Sequence, residues 1–278
     1  MTHTTHTVSF SELDAIRQCE LKAHLSYRER WQPEEIAPAL SRGRLWHSVM
    51  EIHYLNKCDP LVDDPWGVLA EAGDTDDAEL CRWMYEGYLE CYGDDPDWEV
   101  IAVEQKVEDW LRLPSGRRSQ FKVKGFVDLL VRDHSAGGGL FIVDHKSARE
   151  LPKGKQLDFD DQLGIYTWLL RRQGLDIRGA IHNTARTYKL KRPMELKERF
   201  SRTLTVRSDR ELEIMVGEAL EKFRVAYKPR KGLPPRSPDP DRCGWRCPFS
   251  EPCLAARKGG DLFELLADFG FYQNFDRH

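Results

Sequence analysis

An α/β fold, with a mixed central sheet flanked by helices, is the prediction for this 278-residue chain, and three observations carry it. Between Phe121 and Ala148 two apolar runs read as strands joined by a glycine-rich turn. Stretches of helical spacing stand on both sides, at Ser9 to Leu25, Ser41 to Asn56, Ala78 to Tyr92, Asp158 to Gly174 and Ser208 to Tyr227. A composition of 40% hydrophobic and 32% charged residues suits a globular chain with a proper core. No apolar run approaches the ~20 residues of a membrane span, so no membrane is expected among its partners.

Taken in order, Ser9-Phe-Ser-Glu opens the first helix, with Ser9 or Ser11 as N-cap and an acid three residues on. Leu13, Ile16, Leu21 and Leu25 face a core. Cys19 is predicted inside this helix, where a lone cysteine is most often a small buried apolar residue. The second helix turns Leu45, Val49 and Ile52 inward and carries His47 in its first half. His53 points elsewhere and reads as structural. Asp59 to Asp77 is expected to be an exposed acidic loop without the ordered spacing of an EF-hand. Cys58, Cys81 and Cys91 show no metal spacing and read as packing residues.

Glu99 to Leu113 and Gln120 to Arg132 are predicted antiparallel strands around the turn Pro114-Ser-Gly-Arg-Arg. Glu104 is a secondary candidate acid there, with a solvated strand position as the stronger reading. Gly137-Gly-Gly permits a sharp reversal before the next strand. Acids open the helix from Asp158 and Gly174 stops it. Ile177 to Tyr188 is another strand, leading into the basic run Lys189-Leu-Lys-Arg. Ser208 and Glu211 form a capping box for a helix reaching about Tyr227, followed by a proline-rich basic connector.

The chemistry concentrates on the central pair of strands. Side chains alternate along a strand, so Asp144 and Lys146 share a face and His145 points away, while Asp128 lies within the preceding strand. Two acids and a lysine therefore converge. Such a set suits hydrolysis of a phosphodiester, because carboxylates can hold Mg2+ or Mn2+ and an ammonium can orient water or neutralise charge on phosphate. The flanking runs Phe126 to Val131 and Leu140 to Val143 are apolar enough to be buried, and an acid beside them is costly unless a cation satisfies it.

A second constellation is Cys243-Gly-Trp-Arg-Cys247-Pro-Phe-Ser-Glu-Pro-Cys253. The start MTHTTHTVSF lacks the features of a secretory signal, so a cytoplasm with reduced thiols is expected, and cysteines at this density then point to zinc or iron-sulfur. Net charge is -4, yet it is unevenly spread. Cys58 to Cys81 holds eight acids and no Lys or Arg, whereas Lys222 to Arg236 holds six bases and no acid. Arg186 to Arg202 adds seven bases against two acids. Phosphate contact depends on local charge, so a basic face for nucleic acid is compatible with the net value. No Walker P-loop pattern is present, which argues against an intrinsic helicase motor.

The patterns Gly125-Phe-Val-Asp128 and Ile142-Val-Asp144-His-Lys146 resemble the PD-(D/E)xK nuclease superfamily, in its variant with aspartate before x-Lys. More closely, they resemble the RecB-type branch, which includes CRISPR-associated and phage exonucleases with an iron-sulfur cluster. The resemblance runs from Ser9 to about Lys258. It implies a restriction-endonuclease-like core and a metal-dependent DNA exonuclease acting on single-stranded or frayed ends. His47, in a G-x-x-x-H pattern from Gly43, would be a metal ligand with Asp128, Asp144 and the main-chain carbonyl of His145. Lys146 would position water, and Gln162 and Tyr166, in a Q-x-x-x-Y pattern on one helix face, would help place the strand. Cys19 would complete a [4Fe-4S] site with Cys243, Cys247 and Cys253, stapling a helical region. Relatives more often place two residues between their first two C-terminal cysteines, where this chain has three.

The organisation expected is a single nuclease domain over 1–278, with a mainly helical part at 1–95, an α/β core at 96–230 and a cysteine segment at 231–278. Expected partners are DNA and the proteins of a recombination or CRISPR-like complex, in a bacterial host cytoplasm. Two readings from other classes stay open: a catalytically silent nucleic-acid-binding partner, and a zinc-stabilised interaction protein.

Overall fold

A computed structural model describes residues 5–35, 38–189 and 192–275. Leu190 and Lys191 of the predicted basic run lie outside the described residues. In chain order the first elements are β1 (His6–Ser9), α1 (Phe10–Gln18), α2 (Glu20–Ala23), a π-helical turn (His24–Arg28), β2 (Trp31–Pro33), α3 (Pro38–Cys58), α4 (Pro65–Glu71) and α5 (Asp76–Tyr92). Then come β3 (Trp98–Arg112), β4 (Arg118–Asp133), β5 (Gly139–Ala148), α6 (Gly154–Leu157), α7 (Asp161–Arg172) and β6 (Ile177–Arg186). The chain ends with α8 (Leu196–Arg199), β7 (Phe200–Thr205), α9 (Asp209–Ala226), α10 (Pro240–Trp245), α11 (Ser250–Arg257), α12 (Leu262–Asp268) and β8 (Phe271–Gln273).

These elements form two compact units that do not follow the linear order of the chain. One comprises Met1–Ile36, Trp110–Val123 and Gly217–His278, and the other Ala37–Asp109 and Lys124–Val216. Among the described residues no helix is long and apolar enough to cross a membrane.

In the first unit Ser9 caps α1, its hydroxyl accepting from the Glu12 N–H at 3.2 Å. The helix does not run on through Cys19 as the spacing predicts. Cys19 is extended, at φ -166 and ψ 119, and the chain restarts as α2 before its π-helical turn. The apolar spacing of Leu21 and Leu25 survives the break because both still bury against Phe249, Leu262, Leu266 and Phe271. β2 and β8 pair antiparallel, Trp31 opposite Gln273 and Pro33 opposite Phe271. Residues from the two ends of the chain thus share one core and one ladder.

The second unit is built on a sheet in which β4, β5, β6 and β7 lie side by side, with β3 also paired to β4. β4 and β5 are antiparallel, with Leu129 opposite Val143, whereas β5 and β6 run parallel, with Asp144 opposite His182 and Lys146 opposite Thr184. Its apolar strand runs are buried as expected except at Phe126, which is exposed: Leu129, Val131, Val143 and Ile181 share a core with Trp46, Met50, Tyr54, Met84 and Tyr88 from α3 and α5. The edge strand β7, paired antiparallel with β6, has no counterpart in the predicted elements. Its Phe-Ser-Arg-Thr-Leu-Thr sequence sits in the basic stretch and carries too few apolar residues to register as a strand. The expected acidic loop also contains α4, where the Asp64 carboxylate accepts from the N–H groups of Trp66 and Gly67 and Leu69 is fully buried. Of the three cysteines expected to pack, Cys81 is buried and Cys91 lies against the core, but Cys58 is exposed.

His53 is structural, as its position on α3 suggested. It is buried among Tyr54, Tyr85 and Tyr88, with Nδ1 3.1 Å from the Tyr85 hydroxyl and Nε2 without a partner. Burial pushes the imidazole down from 6.5 to about 4. The unfolded chain then binds the proton first, so this stabilisation is complete above the ordinary histidine value and is lost as pH falls toward 4. The expected result is that wild-type protein loses about 3 kcal/mol more unfolding free energy than His53→Gln between about pH 7 and about pH 4, measured by urea titration.

Candidate metal and catalytic site

Five elements of the second unit bring the site together. β4 supplies Asp128, and β5 supplies Asp144, His145 and Lys146, with Asp128 one position beyond the Leu129–Val143 pair. α3 brings His47, α7 brings Gln162 and Tyr166, and β3 brings Glu104. Ligand atoms of His47, Glu104 and Asp128 all lie within 4.8 Å of one another, and among the described residues no other set of three potential metal ligands does so. His47 Nδ1 is 3.3 Å from Asp128 Oδ2, which also accepts the main-chain N–H of His145 at 2.8 Å. That N–H fixes the carboxylate, a contact that leaves no signal in the sequence pattern.

Asp144 is 2% exposed and does not join the three-residue set. Its Oδ1 accepts Lys146 Nζ at 2.8 Å, while Oδ2 is buried without a hydrogen-bond partner. Lys146 Nζ also reaches Gln162 Oε1 at 3.4 Å. Gln162 is oriented by the start of α7, where Asp160 accepts its N–H at 2.8 Å. The side chain of His145 lies apart from this group, stacked on Tyr54 with ring centroids 5.4 Å apart and Nδ1 2.9 Å from Asn183.

Glu104 was the weaker candidate in sequence because a strand glutamate is usually solvated. Its backbone has φ 47, in the left-handed region that non-glycine residues avoid, inside an otherwise extended strand. Such local irregularities recur beside functional sites, where they re-aim a side chain. No composition or spacing signal announces it.

The electrostatics show what the cluster lacks. Burial, then the neighbouring Asp144, pushes Asp128 well above the usual carboxylate range. Burial, then Glu51 and Asp144, raises Glu104. Burial lowers Lys146, but Asp144 and Asp128 outweigh it and hold the ammonium above its ordinary value. Burial, helped by Lys146, lowers His47, which favours the neutral imidazole that ligates metal. Crowded carboxylates, an orphaned carboxylate oxygen and an imidazole make an oxygen-rich donor set that fits a divalent cation.

Gly125, in the Gly-Phe-Val-Asp pattern, has a packing role. A Cβ there would stand 2.3 Å from Cε1 of Tyr166, so the bare backbone of β4 is what lets that ring lie down. Gly125→Ala is expected to cost about 1–3 kcal/mol through overpacking. Urea titrations should find most of that loss removed in a Tyr166→Ala background, because the clash partner is gone.

In the first unit a cavity of about 590 Å3 is lined by Cys19, Cys243, Cys247 and Cys253. The break after α1 delivers Cys19, and α10 and α11 carry Cys243 and Cys253. Cys19 Sγ accepts the Ser237 N–H at 3.4 Å and Cys243 Sγ accepts the Asp239 N–H at 3.5 Å. Burial raises the thiols of Cys247 and Cys253. Among the described residues no three of these sulfurs lie within 4.8 Å of one another.

One protein-family model matches residues 7–254, and it is that of the PD-(D/E)XK nuclease superfamily. No curated protein matches the chain. Among solved structures, the chain is similar to the "Putative exonuclease" from Eubacterium rectale, at 13% identity and a TM-score of 0.50 over 84% of this chain and 85% of that one. The protein SSO0001 is similar at 16% identity and a TM-score of 0.38, over 87% and 95%. At 13% identity the likeness to the Eubacterium rectale protein is one of fold.

Proposed function

The chain belongs to the PD-(D/E)XK nuclease superfamily, and from that premise we propose that it is a Mg2+- or Mn2+-dependent deoxyribonuclease. Its substrate in this reading is DNA with single-stranded or frayed ends, degraded as by an exonuclease. The observation that carries the reading is the meeting of His47, Glu104 and Asp128 in one ligand set, together with the buried, unpartnered oxygen of Asp144.

His47, Asp128 and Asp144 would hold the ion, with Glu104 as a further donor and the main-chain carbonyl of His145 assisting. When bound, a divalent ion supplies Lewis-acid polarisation of a phosphoryl oxygen and a more acidic water. The chain's own groups do the rest. Lys146, kept protonated by Asp144, donates toward the attacking water or the charge growing on the phosphate. Gln162 accepts from the same ammonium at 3.4 Å, and with Tyr166 it would help place the strand. The His145 N–H keeps Asp128 in one rotamer.

Cleavage of end-labelled single-stranded DNA, by protein purified without oxygen, tests the proposal. Stepwise products with Mn2+ or Mg2+, and none in EDTA, are expected. Intact DNA after incubation with folded, metal-supplied protein would replace the enzyme by the silent binding-partner reading.

The four cysteines lining one cavity support a [4Fe-4S] cluster in the same reading. Amide donors to two of the sulfurs fit thiolate ligands of such a cluster. Its role is structural, because it ties residue 19 to residues 243–253 across most of the chain. Iron and acid-labile sulfide in the anaerobic preparation are expected, and stoichiometric zinc in their place would overturn the assignment.

A further inference from the structure

We infer that a basic groove in the first unit is a second contact for single-stranded DNA, made by residues none of which belongs to the metal site. The inference deepens the proposed function and rests on its assignment of DNA as substrate. The groove is a cavity of about 600 Å3 whose lining brings together segments far apart in sequence. The turn between β3 and β4 contributes Arg117 and Arg118, α9 contributes Arg224, and Lys228 follows just beyond the helix. Glu221 is the one carboxylate in the lining and meets Arg224 at 3.1 Å. Arg117 and Lys228 are exposed, and among the described residues no carboxylate pairs with either.

Four cations against one carboxylate form a local surplus in a chain with 42 Lys and Arg against 46 Asp and Glu. Average composition does not produce such a surplus, and a polyanion is the chemistry that complements it. The groove also has an aromatic wall. Trp110 lines it half-buried, with the Arg118 guanidinium 5.9 Å from its ring centroid. Of the other rings nearby, Phe121 is fully buried and Arg28 lies 3.8 Å over Tyr227. A partly buried indole among cations that can take successive phosphates matches the pairing by which proteins hold unpaired strands, with bases stacking on the ring. Duplex DNA keeps its bases stacked internally and would leave the indole unused.

Fluorescence anisotropy with a labelled ~30-nucleotide single strand tests the inference in EDTA, which withholds the ion needed for cleavage. Each lost phosphate contact lowers the slope of log K against log salt by ~0.7 for single strands. Arg117→Gln/Lys228→Gln is therefore expected to lose about 1.4 of slope, and on the order of tenfold to thirtyfold in affinity near 0.1 M salt. Arg117→Lys/Lys228→Arg should keep both, since the charges remain. Trp110→Ala should bind about tenfold more weakly at unchanged slope. If that variant does not fold, the exposed double substitution carries the test alone. Wild-type slope and affinity in Arg117→Gln/Lys228→Gln would overturn the groove, and would leave the nuclease reading intact if wild-type protein cleaves with Mg2+. A slope difference in a protein that cleaves nothing would uphold the groove and remove the enzyme.

Discussion

Asp144→Asn is expected to lower metal-dependent DNA cleavage by at least about a thousandfold. One carboxylate serves two partners here: Oδ1 holds Lys146 at 2.8 Å, and Oδ2 is the buried oxygen left for a cation. Asparagine keeps the shape, so the surrounding strands have no cavity to close. It removes the charge from both partners at once. The fold should survive, because the repulsion that raises Asp128 is relieved and the Lys146 side chain, 39% exposed, can turn to water. Turnover at saturating Mn2+, measured beside a urea titration, checks both halves. Cleavage within about tenfold of wild type would exclude Asp144 from the site. Lys146→Ala should be severe as well, and Asp144→Asn/Lys146→Ala should cost little beyond the worse single change, since the two groups act as a unit.

Arg202→Ala is expected to cost about 3–5 kcal/mol of stability. Arg202 pairs bidentately with Asp95, which is 5% exposed, and donates to the Tyr88 hydroxyl at 2.7 Å. Its guanidinium also lies 3.6 Å over Tyr92 and 4.0 Å over Trp98. Truncation leaves a buried carboxylate with only the hydroxyls of Tyr54 and Tyr88 to solvate it. Asp95→Asn should recover a large part of the loss in the Arg202→Ala background, because the stranded charge is then absent. Additive losses in urea titrations would show that Arg202 contributes through packing on the rings instead. The pair also reaches the site: Asn183 bridges Tyr88, at 3.1 Å, to His145, at 2.9 Å, whose main chain holds Asp128. Arg202→Ala protein that remains folded should therefore also cleave more slowly.

What the sequence by itself determined is local. Period-two alternation put Asp144 and Lys146 on one face of a strand and turned His145 away, and the structure has that arrangement. Apolar runs marked β4 and β5 as buried. Capping chemistry marked the start of α9, where Ser208 and Glu211 exchange hydrogen bonds at 2.7 and 3.3 Å. Spacing of four on α7 put Gln162 and Tyr166 on one face, where their side chains hydrogen-bond. Each of these follows from the fixed geometry of a single element.

The tertiary structure alone decided the rest. Glu104 joins His47 and Asp128 because β3 departs from extended geometry at that residue, and a single left-handed residue leaves no periodic trace. Cys19 reaches the other cysteines because the helix breaks there, although the apolar spacing on both sides reads as continuous. The glycine of Gly-Phe-Val-Asp admits a tyrosine 41 residues later, and Arg202 neutralises an aspartate 107 residues earlier. Basic residues scattered between 117 and 228 gather on one groove. Such pairings depend on where separate elements pack, and chain patterns report only the period of one element at a time.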